Sequence, residues 1–179
     1  FLLEYFHVNH SIPDGVGIGI TSPAGLVVHM SDFKFDQTPV DGWPTDFAKL
    51  SEFSNRGVDL LLSDSTNAER PGWTPSESVI GPAFDKVFGE AKGRIIVATF
   101  ASLISRVQQV ADAAAKTGRK MALAGPSMVD NVKIARKMKY LEIPDDLIVS
   151  IEQALQMQNH KVVIMCTGSQ GEPSSIVGR

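Results

Sequence analysis

The second half of the chain alternates helix-like and strand-like segments, and this alternation constrains the fold more than any other feature. The apolar runs that predict strands lie at 93–100, 120–125 and 161–166. The segments with helical periodicity lie at 74–91, 101–116, 126–141 and, more weakly, 146–157. Parallel strands need crossover connections, which helices supply. The pattern therefore predicts an α/β fold with a doubly wound parallel sheet over residues 74–179.

Capping signals mark where some of these helices should begin and end. Thr74 and Glu77 have the spacing of a capping box, with a proline at the first helical position between them. Ser127 and Asp130 repeat that spacing. Gly118 predicts the end of the helix over 101–116.

The first 73 residues have a different organisation, rich in hairpins. Strands are predicted at 2–8, 15–20, 26–29 and 58–63. A turn, "SPAG", separates the second strand from the third, and a helix is predicted around 45–55. The sequence therefore predicts two domains, 1–73 and 74–179.

Composition limits the class of protein. A single cysteine, Cys166, excludes a disulfide framework and suits a reducing compartment, so a cytoplasmic location is expected. No apolar run has the length of a membrane span. The net charge is −3, but residues 1–72 are net acidic and the rest net basic. This asymmetry arises either by chance or because residues 1–72 bind cations and residues 73–179 bind an anion.

Small, hydroxyl-rich loops follow three strands of the second half: "ATFAS", "AGPSM" and "CTGSQGEP". Ligands of open α/β sheets bind at the carboxyl ends of the strands, where helix N-termini favour phosphate. None of the loops is a P-loop or a G-x-G-x-x-G motif, and each loop could equally be a cap or a tight turn. The candidate substrate-binding residues in them are Thr99, Ser102, Ser127, Thr167, Gly168, Ser169 and Gln170.

The first half holds the side chains suited to a metal, which are His7, His10, His29, Asp14, Asp32, Asp36 and Asp64. His7 and His29 lie within predicted strands, where a structural role is the more economical interpretation. His10 and Asp32 each follow directly after a strand, and imidazole and carboxylate groups are good ligands for zinc. Two ligands cannot hold a catalytic metal, so the residues alone leave this site open.

Five segments, taken together, resemble the ribonuclease J family. They are "NHSIPD" (9–14), "SDFKFD" (31–36), "LLSDSTNAERPG" (61–72), "GRIIVATFAS" (93–102) and "TGSQGEP" (167–173). This family is the RNA-processing branch of the metallo-β-lactamase superfamily that carries a β-CASP domain. The resemblance covers nearly the whole chain, in order.

The resemblance implies part of an αββα metallo-β-lactamase domain in residues 1–73 and a β-CASP domain in residues 74–179. It also implies a ribonuclease that uses two zinc ions, acts as a 5′-to-3′ exonuclease and as an endonuclease, and assembles as a dimer or tetramer. By residue, it implies that His10 is a metal ligand, that Asp32 bridges both metals and that Asp64 is an acid near the site. Lys34 and Asp36 are expected to buttress the ligand loops.

The sequence also departs from the family pattern, and these departures matter as much as the matches. The main metal motif, H-x-H-x-D-H, is absent, and so are the histidine motifs that follow the β-CASP domain. We therefore expect this chain to be a fragment that is inactive alone. Three smaller departures are Ser31 in place of Gly, Leu103 in place of Asn and Pro126 in place of Arg.

Two rival interpretations stay open at this point. A non-catalytic RNA-binding module or degenerate subunit would use only the β-CASP loops, which the net basic second part favours slightly. A generic doubly wound nucleotide-binding enzyme would leave the long motif matches unexplained.

Overall fold

The structure is a computed structural model that describes residues 1–169. Its internal contacts divide the chain into two compact units, Phe1–Ser78 and Val79–Arg179, called the first and second units below. Among the described residues, no helix has the length and apolar character needed to cross a membrane. The domain boundary at residue 73 stays a prediction.

The first unit is a four-stranded sheet with one helix. Its elements are β1 (Leu2–His7), β2 (Val16–Ser22), β3 (Gly25–His29), α1 (Phe47–Arg56) and β4 (Leu60–Leu62). The strand order is β1-β2-β3-β4. Strand β2 pairs antiparallel with both β1 and β3, whereas β4 pairs parallel with β3. The strands and the helix that the sequence predicts here are all present, with slightly different bounds.

Helix α1 covers one face of this sheet, chiefly through Phe53. Phe53 is almost fully buried and meets the Phe6 ring edge to face, with ring centroids 5.7 Å apart. A Cβ atom on Gly19 would lie 2.4 Å from the Cζ atom of Phe53, so the absence of a side chain on β2 lets the helix approach. The Asp46 side chain begins the helix by accepting a hydrogen bond from the Lys49 amide.

The opposite face of the same sheet is apolar but exposed. Leu3, Ile20, Val27 and Leu60 are successive cross-strand neighbours in one row. Leu3 and Leu60 are each about half exposed. An apolar sheet face is normally buried against a further layer. The first unit therefore has one covered face and one open face.

The second unit is a parallel sheet wrapped by helices. Its elements are α2 (Ile80–Glu90), β5 (Ile95–Ala98), α3 (Ile104–Lys116), β6 (Lys120–Ala124), α4 (Pro126–Lys137), β7 (Ile148–Val149), α5 (Ile151–Gln156) and β8 (Val162–Cys166). The strand order is β5-β8-β6-β7, and every pairing is parallel. The predicted parallel α/β fold is confirmed.

Both faces of the second sheet are covered, as a doubly wound fold requires. Met121 and Val163 point to the face on which α2, α3 and α4 build the main core. Ala122 and Val162 point to the other face, where Ala154 of α5 packs on them. Adjacent residues of a strand face opposite sides of the sheet, and both sides are buried here. Strands β6 and β8 are therefore nearly continuous apolar runs in the sequence.

Both capping boxes that the sequence predicts are wrong. Helix α2 begins at Ile80 without a side-chain cap, so Thr74 does not start it. Helix α4 is preceded by Gly125, again without a side-chain cap, so Ser127 lies inside the helix. A complete capping box occurs instead at Ser150, which begins the short helix α5.

Candidate functional site

Three loops of the first unit leave its sheet at one edge. Strands β1 and β3 both run antiparallel to β2, and β4 runs parallel to β3, so the carboxyl ends of β1, β3 and β4 point the same way. His10 follows β1, Asp32 follows β3 and Asp64 follows β4. The topology therefore brings the three sequence-predicted residues to a common edge.

Asp32 and Asp64 line one cleft of about 460 Å³, together with His29 and Ser63. The Asp64 carboxylate accepts hydrogen bonds from the Thr66 hydroxyl at 2.6 Å and the Thr66 amide at 2.9 Å. These bonds, with a smaller contribution from the charge of His10, lower the pKa of Asp64. Asp64 is thus held in its ionised form, and His10 lies close enough to act on it electrostatically.

The donor chemistry of this edge suits a metal, but the number of ligands does not complete a site. Imidazole nitrogen and carboxylate oxygen are ligands of Zn²⁺ and related ions. Within residues 1–169, however, no group of three or more His, Cys, Asp or Glu side chains could hold an ion. The described residues therefore fit a contribution to a metal centre rather than a whole one.

Ser31, next to Asp32, has a backbone conformation that explains one departure in the sequence. Its φ angle is +58°, in the left-handed region that glycine adopts without steric cost. The Ser31 hydroxyl donates to the Val16 carbonyl oxygen at 2.9 Å, and its amide donates to Nδ1 of His29 at 3.1 Å. These two bonds hold the loop in this conformation despite the side chain.

Lys34 and Asp36 fix the far end of the Asp32 loop. The Asp36 carboxylate is 3% exposed and accepts hydrogen bonds from the amides of Thr38 and Glu77, both at 3.0 Å. The Lys34 ammonium lies 3.7 Å from that carboxylate and donates to the Pro75 carbonyl oxygen at 2.7 Å. Both residues buttress the loop, as expected from the sequence.

The pKa of Asp36 reflects a balance of opposed effects. Burial favours the neutral acid and would raise the pKa. Hydrogen bonds from the Ser76 side chain and from the Thr38 and Glu77 amides, with the charge of Lys34, outweigh burial and lower the pKa. The ionised carboxylate is therefore the form that this structure stabilises.

His7 and His29 have structural partners. The His7 ring stacks on Trp43, with ring centroids 4.5 Å apart, and its Nδ1 lies 3.0 Å from the Pro44 carbonyl oxygen. His29 accepts the Ser31 amide through Nδ1. Asp14, in the loop before β2, has a positive φ of 58°.

Sequence reasoning missed the residues that join the loop carrying His10 to the loop carrying Asp32. The Lys34 amide donates to the Asn9 carbonyl oxygen at 2.7 Å, which brings the segment beside His10 against the segment beyond Asp32. The buried Thr45 hydroxyl contacts both segments. No periodicity marks Thr45, because it lies in an irregular stretch; its position directly before a helix cap was the only signal.

The second unit has its own candidate edge, where β5, β6 and β8 end. Thr99 is almost fully buried, and its amide donates to the Cys166 carbonyl oxygen at 3.0 Å, which ties the ends of β5 and β8 together. Gly125 and Gly168 adopt φ angles of 106° and 114° at the ends of β6 and β8, where a side chain would be strained. Ser102 lies in the loop that leads into α3.

Two helices begin at this edge without side-chain caps. Leu103 stands at the cap position of α3 and has no side-chain oxygen, whereas an Asn at this position could accept a hydrogen bond from the first turn. Pro126 is the first residue of α4, a position that suits proline because its missing N–H would be unpaired there. Free N–H groups and the positive helix end favour an anion. Ser127 is the second residue of α4, and Thr167 and Ser169 follow β8, whereas Gln170 lies outside the described residues.

Comparison with known proteins identifies the class first. Residues 92–179 match the family model described as "Ribonuclease J, beta-CASP domain". The second unit is therefore a β-CASP-type α/β domain, in agreement with its parallel sheet.

Curated relatives then identify the family. The chain is 49% identical over all 179 residues to ribonuclease J of Corynebacterium glutamicum, 48% to that of Mycobacterium tuberculosis and 47% to that of Thermus thermophilus. It covers 25%, 32% and 31% of those proteins. The chain belongs to the ribonuclease J family and spans between a quarter and a third of the length of these relatives.

A solved structure supports the fold alone. A protein of unknown function from Enterococcus faecalis superposes with a TM-score of 0.61 at 13% identity, covering 91% of this chain and 40% of that one. Such a low identity says nothing about activity.

Proposed function

We propose that this chain is part of a metal-dependent ribonuclease that hydrolyses RNA phosphodiester bonds, as a 5′-to-3′ exonuclease and as an endonuclease. The observation that carries the proposal is the convergence of His10, Asp32 and Asp64 on one sheet edge, in a chain about half identical to ribonuclease J proteins. Residues 1–73 would form part of a metallo-β-lactamase domain and residues 74–179 a β-CASP domain.

His10 and Asp32 are proposed as metal ligands, with Asp32 shared between two zinc ions. The remaining ligands would come from sequence outside these 179 residues, because the described residues do not supply three. A bound metal pair supplies an activated water at neutral pH and stabilises both the attacking and the leaving oxygen.

The chain's own residues would prepare the site for this chemistry. Asp64, kept ionised by Thr66, would favour the approach of metal cations to this edge. The Lys34–Asp36 pair would keep the Asp32 loop in place while the substrate binds and reacts. This second effect holds side chains in place before the substrate reacts, so less rearrangement of the site is needed during the reaction.

The edge of the second unit where β5, β6 and β8 end would bind the RNA backbone. Thr99, Ser102, Ser127, Thr167, Gly168, Ser169 and Gln170 are proposed as substrate-binding residues. Backbone N–H groups at helix ends and hydroxyl groups bind phosphate oxygens without reading the base sequence. RNA is therefore the proposed partner. A cytoplasmic location and a dimer or tetramer of the full-length protein complete the proposal.

The test uses the full-length protein that contains this chain, loaded with zinc and given a 5′-monophosphorylated RNA. Asp32→Asn and His10→Ala should each lower turnover by at least about a hundredfold and reduce the bound zinc measured by atomic emission. Asp41→Asn and His160→Ala are matched controls at exposed positions and should change neither quantity.

Full turnover and full zinc content in Asp32→Asn would contradict the ligand assignment. RNA turnover by the isolated 179-residue chain with zinc would contradict the role given to outside ligands. Tight RNA binding by a full-length protein that takes up no metal would favour a non-catalytic RNA-binding module.

A further inference from the structure

The Thr45 hydroxyl sits between the two loops that carry His10 and Asp32. Its oxygen accepts a hydrogen bond from the Asn9 amide at 3.1 Å and donates to the Lys34 carbonyl oxygen at 3.4 Å. The Lys34 amide in turn donates to the Asn9 carbonyl oxygen at 2.7 Å. Three bonds therefore close a ring among Thr45, Asn9 and Lys34, called the loop clamp below.

The loop clamp is shielded from water. Thr45 is 3% exposed and Asn9 is 7% exposed. A buried amide or carbonyl that loses its partner pays a desolvation cost, so the geometry of the clamp is strongly preferred over alternatives. The Asn9 side chain adds a bond to the Trp43 carbonyl oxygen at 3.4 Å, which anchors the same segment from another side.

Helix formation does not account for the Thr45 hydroxyl. The helix that follows begins with the Asp46 side chain, which accepts the Lys49 amide, so Asp46 and not Thr45 is the cap. The hydroxyl's two recorded bonds both go to the ligand loops. Asn9 is adjacent to His10, and Lys34 is two residues beyond Asp32.

We propose that Thr45 is a positioning residue, whose hydroxyl fixes the spacing between the His10 loop and the Asp32 loop. The effect of the Thr45 hydroxyl on metal binding rests on the proposed function, because His10 and Asp32 are ligands only if that function is right. The effect of the hydroxyl on the loops themselves does not depend on a metal. The two effects are measured separately.

Three variants of the full-length protein test the proposal. Thr45→Val keeps the shape of the side chain and removes the hydroxyl, whereas Thr45→Ser keeps the hydroxyl. Thr117→Val is the matched control, because the Thr117 hydroxyl donates to the Ala113 carbonyl oxygen at 2.8 Å in the second unit. If Thr45→Val does not fold, Thr45→Cys replaces it, since a thiol is a poor hydrogen-bond partner.

Hydrogen exchange read by mass spectrometry reports on the loops. In Thr45→Val, the peptides that contain Asn9 and Lys34 should exchange about tenfold faster, the loss expected for one buried hydrogen bond. Thr45→Ser should stay within about twofold of the parent protein, and Thr117→Val should leave both peptides unchanged.

Cobalt binding reports on the ligands. Thr45→Val should weaken Co²⁺ binding about tenfold or more and shift the d–d absorption bands, as the loss of a supporting contact does at metal sites. Thr45→Ser should restore both. A merely destabilising change such as Thr117→Val should leave the cobalt spectrum as it is.

Three results would overturn the proposal: unchanged exchange in Thr45→Val, the same changes in Thr117→Val, or faster exchange with an unaltered cobalt affinity and spectrum. If the parent protein takes up no Co²⁺ at all, the proposed function fails instead. The exchange data alone then decide whether Thr45 clamps the loops.

Discussion

Replacing Asp36 by Asn removes the charge from the carboxylate that buttresses the Asp32 loop while preserving its shape. The carboxylate accepts two backbone amides, those of Thr38 and Glu77, and lies 3.7 Å from the Lys34 ammonium. An Asn side chain offers only one acceptor oxygen, and its amino group must face one of the two N–H donors. One amide is therefore left without its partner at a site that is 3% exposed.

The magnitude follows from these contacts. A hydrogen bond to a charged group contributes about 1.5–3 kcal/mol, so Asp36→Asn should lower the free energy of unfolding of the first unit by about 2–3 kcal/mol. With a urea dependence of about 2 kcal/mol/M, the unfolding midpoint falls by roughly 1–1.5 M.

Tryptophan fluorescence during urea unfolding measures this change. The chain has two tryptophans, Trp43 and Trp73, and both lie in the first unit. Asp41→Asn is the matched control, because exposed Asp41 accepts the Trp43 amide in a local turn that Asn also forms. The control should change the free energy of unfolding by less than about 0.5 kcal/mol. Equal effects of the two substitutions would refute the reasoning.

The effect of Asp36→Asn should depend on pH. Since the folded structure lowers the pKa of Asp36, the carboxylate's stabilisation is fully present above the ordinary value of 3.8 and is lost as the pH falls through the lowered pKa. The parent protein and Asp36→Asn should therefore converge in stability as the solution becomes acidic. A difference that stays constant with falling pH would show that charge is not the cause.

Substitutions at Gly19 and Ser31 test local packing and backbone geometry by the same fluorescence assay. Gly19→Ala should destabilise the first unit by about 1–3 kcal/mol, because the new Cβ meets the Phe53 ring. Gly81→Ala is the control, because a Cβ there would have nothing within 4 Å. It should leave the stability unchanged or raise it slightly, as measured by circular dichroism. Ser31→Ala should cost about 1 kcal/mol by losing a hydroxyl bond while keeping φ positive, whereas Ser31→Gly should be nearly neutral because it relieves the backbone. Equal losses in both Ser31 variants would contradict this explanation.

Much of the fold could be predicted because its signals are local. The alternation of apolar runs and helical periods gave the parallel sheet of the second unit, and the strand-turn-strand pattern gave the hairpin of the first. The capping boxes failed for a physical reason. The Glu77 amide binds the Asp36 carboxylate, 41 residues away, so a distant partner replaced the local cap expected from Thr74.

The candidate site could be predicted in part. His10, Asp32 and Asp64 each follow a strand, and the strand directions bring them to one edge. The supporting residues could not be found in this way. Thr45 and Trp43 lie in an irregular segment, and their hydrogen bonds to Asn9 span more than thirty positions, which no short-range pattern encodes.

The turn between β2 and β3 lies at the opposite edge of the first sheet, where a reporter group can be attached without touching the loops that carry His10, Asp32 and Asp64. Strands β2 and β3 are seven and five residues long, so this turn is separated from the Asp32 loop by roughly 15–20 Å. Ala24 is exposed there, and the chain's single cysteine, Cys166, is buried. A fluorophore on Ala24→Cys would therefore label this segment at one place, and energy transfer to a dye-labelled RNA would test whether the proposed substrate binds near it.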